Sequence, residues 1–313
     1  MKSRLRPVFL FGPTASGKTS LAIKLAQALG GEIINADSMQ VYSGLPILTS
    51  QPSYEQQEGV VHHLLGTWDG AQWGTVSRWR QEAEQAVTAL LAAKKWPLLV
   101  GGTGLYHQAF VHGLSPIPAV DPQIETDMRV MADQHGSEVL YDLLRREDPL
   151  ALDHIMPGDR QRLVRAASLW RSHGISYAVL RNLPREGGWD DTLTIVLDPP
   201  RQALYKTINQ RFEMMVQQGA IQEVEALLAR KLNPQQPVMK AIGVKPLSKS
   251  INGHISLTDA IIQGQQDSRR YAKRQYTWAH NQIDKAVVVS SDSNRMNETL
   301  DLIRSRIEMK TLG

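Results

Sequence analysis

Residues Phe9–Ala22 read FLFGPTASGKTSLA. The run Val8–Phe11 before the first glycine is short and apolar, as a strand buried on both faces requires. Gly12, Gly17, Lys18 and Thr19 then fill the fixed positions of G-x-x-x-x-G-K-[ST], with Pro13, Thr14, Ala15 and Ser16 between them. After Thr19, Leu21, Leu25, Ala28 and Leu29 recur at helical spacing. Strand, loop and helix in that order predict a phosphate-binding loop. Its glycines let backbone N–H groups converge on phosphate oxygens, and the helix N-terminus adds partial positive charge. Lys18 reaches the terminal phosphates, and the Thr19 hydroxyl suits Mg²⁺. ATP, GTP or any diphosphate fits such a loop.

The next segment, GEIINADSMQVY, reads as a strand over Glu32–Ala36 with Asp37 at its carboxyl end. In an open parallel sheet that edge faces the ligand crevice. A carboxylate there binds Mg²⁺, acts as a general base, or caps a turn. A further apolar strand, Trp96–Val100, runs into GGTGLY. Gly101, Gly102 and Gly104 let backbone approach a ligand closely, and Thr103 offers a hydroxyl beside it. This strand does not end in Asp, as the acidic strand of a hydrolytic phosphate-loop enzyme commonly does. His62 and His63 are adjacent, so they point in different directions in either regular structure. That favours structural roles over a metal pair. The run RWRQEAEQAVTALLAAKK reads as one amphipathic helix leading to the strand at Trp96. The result is β-α-β-α-β: an α/β fold with a phosphate-loop core and a parallel sheet flanked by helices.

From Leu114 the character changes. GLSPIPAVDP is a proline-rich turn segment, residues 121–182 read as helices, and TLTIVLDPP returns to β character. We therefore expect a core over 1–115, a helical insertion over 116–190, and a second part of the core over 191–313. That second part ends in a strand near 286–291. The chain has 313 residues and a formal net charge of only +4, so any case for nucleic acid rests on local clusters. Arg162 and Arg165 share a helix face, with Asp159 one turn earlier. Arg270, Lys273, Arg274 and Trp278 follow i, i+3, i+4, i+8, a basic stripe ending in an aromatic. Phosphates attract such cations, and unstacked bases such rings. There is no cysteine, which excludes disulfides, thiolate catalysis and Cys-ligated zinc. With no apolar stretch near 18 residues and no secretory pattern, the expectation is a cytoplasmic protein off the membrane, acting as a monomer.

Taken together, GPTASGKT, DSMQVY, GGTGLY, DRQRLVRA, RFEMM with EV, AIG and AKRQYTW, in that order from residue 12 to 278, resemble the tRNA dimethylallyltransferases, also called tRNA isopentenyltransferases. The resemblance implies that the loop, Gly12 to Thr19, holds the diphosphate of dimethylallyl diphosphate as a leaving group, with Arg211 and Mg²⁺ on Thr19. The alternative reading of the same residues is a kinase for a small metabolite, with ATP in the loop and Asp37 as base. The resemblance implies transfer of the prenyl group to the exocyclic amine of the adenosine 3′ of the anticodon. Asp37 takes the proton, Lys18 steadies the leaving charge, and Thr103 bonds near the leaving oxygen. Asp37, Ser38, Met39, Gln40, Thr103, Gln161, Arg162, Leu163, Val164 and Arg165 then contact the anticodon arm of tRNA. Positions that depart from the family pattern include Gln51, Glu125, Ser168, Val244 and Arg270.

Overall fold

Side chains alternate between two buried faces along each strand of one parallel sheet, and this places the functional edge. The computed structural model describes residues 5–289, 300, 301 and 305. In chain order the elements are β1 (Val8–Phe11), α1 (Lys18–Leu29), β2 (Gly31–Asn35), α2 (Pro46–Thr49), β3 (His62–His63), α3 (Val76–Ala92), β4 (Trp96–Gly101) and α4 (Gly104–His112). Next come α5 (Pro122–His135), α6 (Glu138–Glu147), α7 (Arg160–His173), α8 (Tyr177–Arg181), β5 (Leu193–Leu197), α9 (Arg201–Gln218) and α10 (Ala220–Ala229). Last are α11 (Val244–Ile251), α12 (Leu257–Gln282) and β6 (Val287–Val289).

The six strands lie in the order β3-β2-β4-β1-β5-β6, and every pairing is parallel. Phe9 and Phe11 of β1 face one apolar layer with Ile34, Leu99 and Val196, while Val8 and Leu10 face the other with Ile33, Leu98 and Ile195. Both faces are dry, which is why these strands read as continuous apolar runs. The α/β expectation holds, with one strand more than the sequence showed on the β2 side. β3 is the two-histidine segment, too short for periodicity to reveal, and His63 Nε2 bonds the Glu32 carboxylate at 2.7 Å. Among the described residues no cluster of three His, Cys, Asp or Glu could hold a metal ion. Of the strand expected near 286–291, Val287–Val289 is present, and Ser290 and Ser291 lie outside the described residues.

The chain divides into two compact units, Met1–Val111 with Trp189–Gly313, and His112–Gly188, against the boundaries at 116 and 190 expected above. The second unit is helical. α5, α6 and α7 pack around Leu140, Leu144, Leu163, Ala166 and Ala167, and an antiparallel bridge between Leu114 and Glu186 joins its ends. No described helix is long and apolar enough to cross a membrane.

Candidate active site

β1 delivers the chain into a loop whose conformation leaves donors pointing outward. Ala15 and Gly17 both adopt positive φ, 64° and 81°, and Gly17 forms the N-cap of α1 without a side-chain cap. Gly12 N–H donates to Gly101 O at 3.3 Å and Ser16 N–H to Pro13 O at 3.3 Å. Thr14 N–H donates to Gln275 Oε1 at 2.8 Å. The loop donors left are those of Ala15, Gly17, Lys18 and Thr19, gathered at the uncapped start of a helix, where an anion is favoured. The Ser16 hydroxyl is buried and has no partner, another donor in want of an acceptor. Lys18 Nζ bonds Pro13 O at 2.6 Å.

Asp37 is held by its own segment. Asn35 Oδ1 accepts from Asp37 N–H at 3.1 Å, and Asn35 Nδ2 donates to Asp37 O at 3.1 Å. Asp37 Oδ1 accepts from the N–H groups of Met39 and Gln40, at 2.8 and 3.3 Å. One carboxylate oxygen is thus committed to the turn, which leaves Oδ2 to accept from a ligand. Thr103 Oγ1 accepts from Ser38 N–H at 3.0 Å, joining the ends of β2 and β4.

Of these groups, Thr14, Asp37 and Ser38 border a cleft of about 230 Å³. Thr14, Asp37, Arg211 and Arg274 give it a polar side, while Leu48, Ile208, Phe212 and Met215 give it an apolar one. α9 supplies Ile208, Arg211, Phe212 and Met215 at i, i+3, i+4 and i+7, a single helix face. Arg211 Nη2 bonds the Thr14 hydroxyl. Burial pushes the Lys18 ammonium down to about 7, against the pull of Asp37 and helped by repulsion from Arg211. Burial likewise lowers Arg211, opposed by Asp37. Two desolvated cations thus share one carboxylate, an imbalance that a multiply charged anion would correct.

A family model described as IPP transferase matches residues 40–282, and one described as isopentenyl transferase matches residues 6–67. A tRNA dimethylallyltransferase of Hyphomonas neptunium is 41% identical over 281 residues, 88% of this chain and 88% of that protein. The chain belongs to the tRNA dimethylallyltransferase family. Among solved structures, a full-length tRNA isopentenylpyrophosphate transferase from Bacillus halodurans superposes with a TM-score of 0.71 at 31% identity, covering 99% of this chain and 98% of that one. A eukaryotic dimethylallyltransferase acting on tRNA gives a TM-score of 0.80 at 25% identity, over 96% of this chain and 77% of that one.

For a tRNA dimethylallyltransferase the residue placements are informative. The loop, Asp37, Ser38, Met39, Thr103 and Arg211 come together in the first unit. Gln161, Arg162 and Arg165 lie on α7 in the second. Leu163 and Val164 do not belong with them: both side chains are buried in that unit's own core, at 0% and 2% exposure, so they offer nothing to RNA. A helix turns about 100° per residue, so five consecutive positions cannot share one face. Arg162 is exposed and pairs with Asp159 at 3.3 Å, and Arg165 Nη2 donates to Pro118 O at 3.4 Å. Glu125 pairs with Arg129 on α5, and the Gln51 amide bonds Gln40 O and Tyr42 O.

The stripe on α12 is not one solvated face either. Arg270 pairs with Asp267 at 3.5 Å, Arg274 lines the cleft, and the Trp278 ring packs 5.3 Å from that of Phe11. Two residues of α12 escaped sequence reasoning. Tyr271 lines the cleft, where burial and then the charge of Asp37 push its hydroxyl well above the usual phenol range, against hydrogen bonds with Thr103 and Gln275. Gln275 is buried and bridges two loops, accepting from Thr14 N–H and donating to Gly102 O at 2.9 Å.

Gly102 and Gly104 of GGTG serve this helix rather than open space for a ligand, while a Cβ on Gly101 would stand 2.1 Å from Ala36 O at the end of β2. A Cβ on Gly102 would stand 2.1 Å from Gln275 Nε2 and 2.6 Å from Gly12 O, and one on Gly104 would stand 2.3 Å from the Trp278 ring. Gly102→Ala should therefore destabilise the protein by about 1–3 kcal/mol, as overpacking does. Breaking the Gln275 bridge should also weaken diphosphate binding. Urea denaturation with and without ligand measures both, and a variant as stable as the parent would contradict the assignment.

Proposed function

We propose that the chain transfers the dimethylallyl group of dimethylallyl diphosphate to the N6 amine of the adenosine 3′-adjacent to the anticodon, releasing diphosphate. The observation that carries this reading is one cleft in which Arg211, bonded to the phosphate loop through Thr14, stands beside a carboxylate with an oxygen to spare and an apolar wall. A kinase would share the phosphate loop but would transfer a phosphoryl group and leave RNA unlabelled.

Each residue then has a task. The free N–H groups of the loop, the Ser16 hydroxyl, Lys18 and Arg211 bind the diphosphate. The family's Mg²⁺ fits a site with few protein donors, because that ion keeps water and phosphate oxygens as most of its ligands. The Thr19 hydroxyl would hold it, and it would neutralise charge on the leaving group. The target base leaves its stack to enter the cleft. The N6 lone pair attacks the allylic carbon, the carbon–oxygen bond breaks, and diphosphate departs with the electron pair. Asp37 Oδ2 accepts the N6 proton. Thr103, anchored on Ser38 N–H, stands near the leaving oxygen. Ser38, Met39 and Gln40 form the RNA side of the site.

Incubating unmodified tRNA with labelled dimethylallyl diphosphate and Mg²⁺ tests the reading. Label in tRNA at the expected adenosine supports it. ATP consumption with a small phosphate acceptor, and no label in RNA, would replace it with a kinase.

Arg162 and Arg165 bind the anticodon arm from the second unit in this reading. Changing both to Ala should raise the tRNA KM, leave that for dimethylallyl diphosphate alone, and flatten log K against log salt by about 1–2, since roughly 0.9 counterion is released per phosphate contact. An unchanged slope with a lowered melting temperature would show that they only brace the helices through Asp159 and Pro118.

A further inference from the structure

Helix α2 is a single turn that cannot satisfy its own first donors. Pro46 stands at its first position and has no N–H, and Leu45 offers no side-chain cap. Thr49 N–H is satisfied by Leu45 O at 3.0 Å, so the orphan donors are those of Ile47 and Leu48. Both are captured by one side chain from elsewhere: Glu223 Oε1 accepts from Ile47 N–H at 2.7 Å, and Oε2 from Leu48 N–H at 2.9 Å. Glu223 belongs to α10 and is half-buried. Its partner in the EV pair, Val224, is fully buried and fixes that helix against the core.

What hangs from α2 is the RNA side of the cleft. Leu48 and Thr49 line it directly. The Gln40 amide donates to Thr49 O at 2.9 Å and to Ser50 O at 3.0 Å, and Gln40 N–H is one of the two donors on Asp37 Oδ1. The connection therefore runs from a carboxylate on α10, through a turn of helix, to the turn that orients Asp37. The phosphate loop is not on this route: its ties run to Gly101, Gln275 and Arg211.

We infer that Glu223 is a positioning residue, which holds α2 by its two N–H groups and so sets how the target base is presented to Asp37, without taking part in diphosphate binding. This rests on the transferase reading above. Glu223→Gln keeps the side chain's shape but turns one of the two acceptors into a donor facing an N–H, so it breaks one bond with little loss of packing. Glu223→Ala removes both. The exposed neighbour Glu225→Ala serves as a control on the same helix.

The test is hydrogen exchange by mass spectrometry on the free protein, followed by steady-state kinetics with tRNA and dimethylallyl diphosphate. Exchange should speed up in peptides covering 38–51 in Glu223→Gln and not in peptides covering 12–19. The tRNA KM should rise roughly tenfold and kcat should fall, while affinity for dimethylallyl diphosphate stays within about twofold, as a changed presentation of one substrate predicts. A lowered melting temperature with an unchanged tRNA KM would overturn the inference, because a mere brace removes active molecules without altering their KM. So would faster exchange in 12–19, or equal loss of both affinities. If Glu223→Ala fails to fold, Glu223→Gln decides the matter. If the parent protein transfers no label to tRNA, the transferase reading fails, while exchange in 38–51 still reports on the hold that Glu223 has over α2.

Discussion

Asp37→Asn should lower kcat by about 10²–10⁴-fold, the range for a positioned acid–base group, and leave both substrates bound as before. The geometry makes this substitution unusually clean. The amide keeps an Oδ1 to accept from Met39 and Gln40 N–H, so the turn survives. Only Oδ2 is replaced, by an NH₂ that cannot take a proton from N6. Single-turnover labelling measures the rate, and filter binding measures tRNA affinity. Turnover near that of the parent would make Asp37 a turn residue and place the base elsewhere.

Lys18→Ala should cost about 10²–10³-fold in kcat/KM for dimethylallyl diphosphate, the scale for removing a donor aimed at developing charge, with tRNA affinity nearly unchanged. A proton signature accompanies it. In the free protein burial holds the Lys18 ammonium down to about 7, and an adjacent diphosphate raises it again by attraction. Between those two values the bound form holds more protons than the free form. Binding at pH 8–9 should therefore take up protons, approaching about one, and binding below about pH 6 should take up none through this group. Calorimetry in buffers of different ionisation enthalpy reads this number, and Lys18→Ala should abolish it. Equal uptake by parent and variant would assign the proton to another group.

The parts of the site that sequence disclosed are those whose physics is local. The phosphate loop shows itself through spacing because its glycines, lysine and threonine act within one turn of backbone. Asp37 shows itself because a carboxylate at a strand's carboxyl end faces the crevice whatever else the chain does. Gln275 and Glu223 could not be seen in the same way. Their partners lie 261 and about 175 residues away, and nothing near either residue records that distance. β3 was missed because two residues carry no period. GGTG was legible as a place of close approach, but what approaches is the same chain: α12 at Gly102 and Gly104, and Ala36 at Gly101. Leu163 and Val164 sit in an unbroken block of sequence between Gln161 and Arg165, but α7 turns them into the core between arginines that stay outside.

The Gln275 bridge also bears on how the molecule is made. The phosphate loop leaves the ribosome early, yet one of its N–H groups waits for an amide 261 residues later. At about 5–20 residues per second, roughly ten to fifty seconds separate the two during synthesis. In that interval β1, β2 and β4 can pair, but the loops after β1 and β4 lack the side chain that joins them. Closing so long a span late is the slow kind of contact in folding. A nascent chain thus carries the complete diphosphate motif well before the bridge that braces it can form, and a chain cut anywhere before Gln275 would display the motif without ever acquiring that brace.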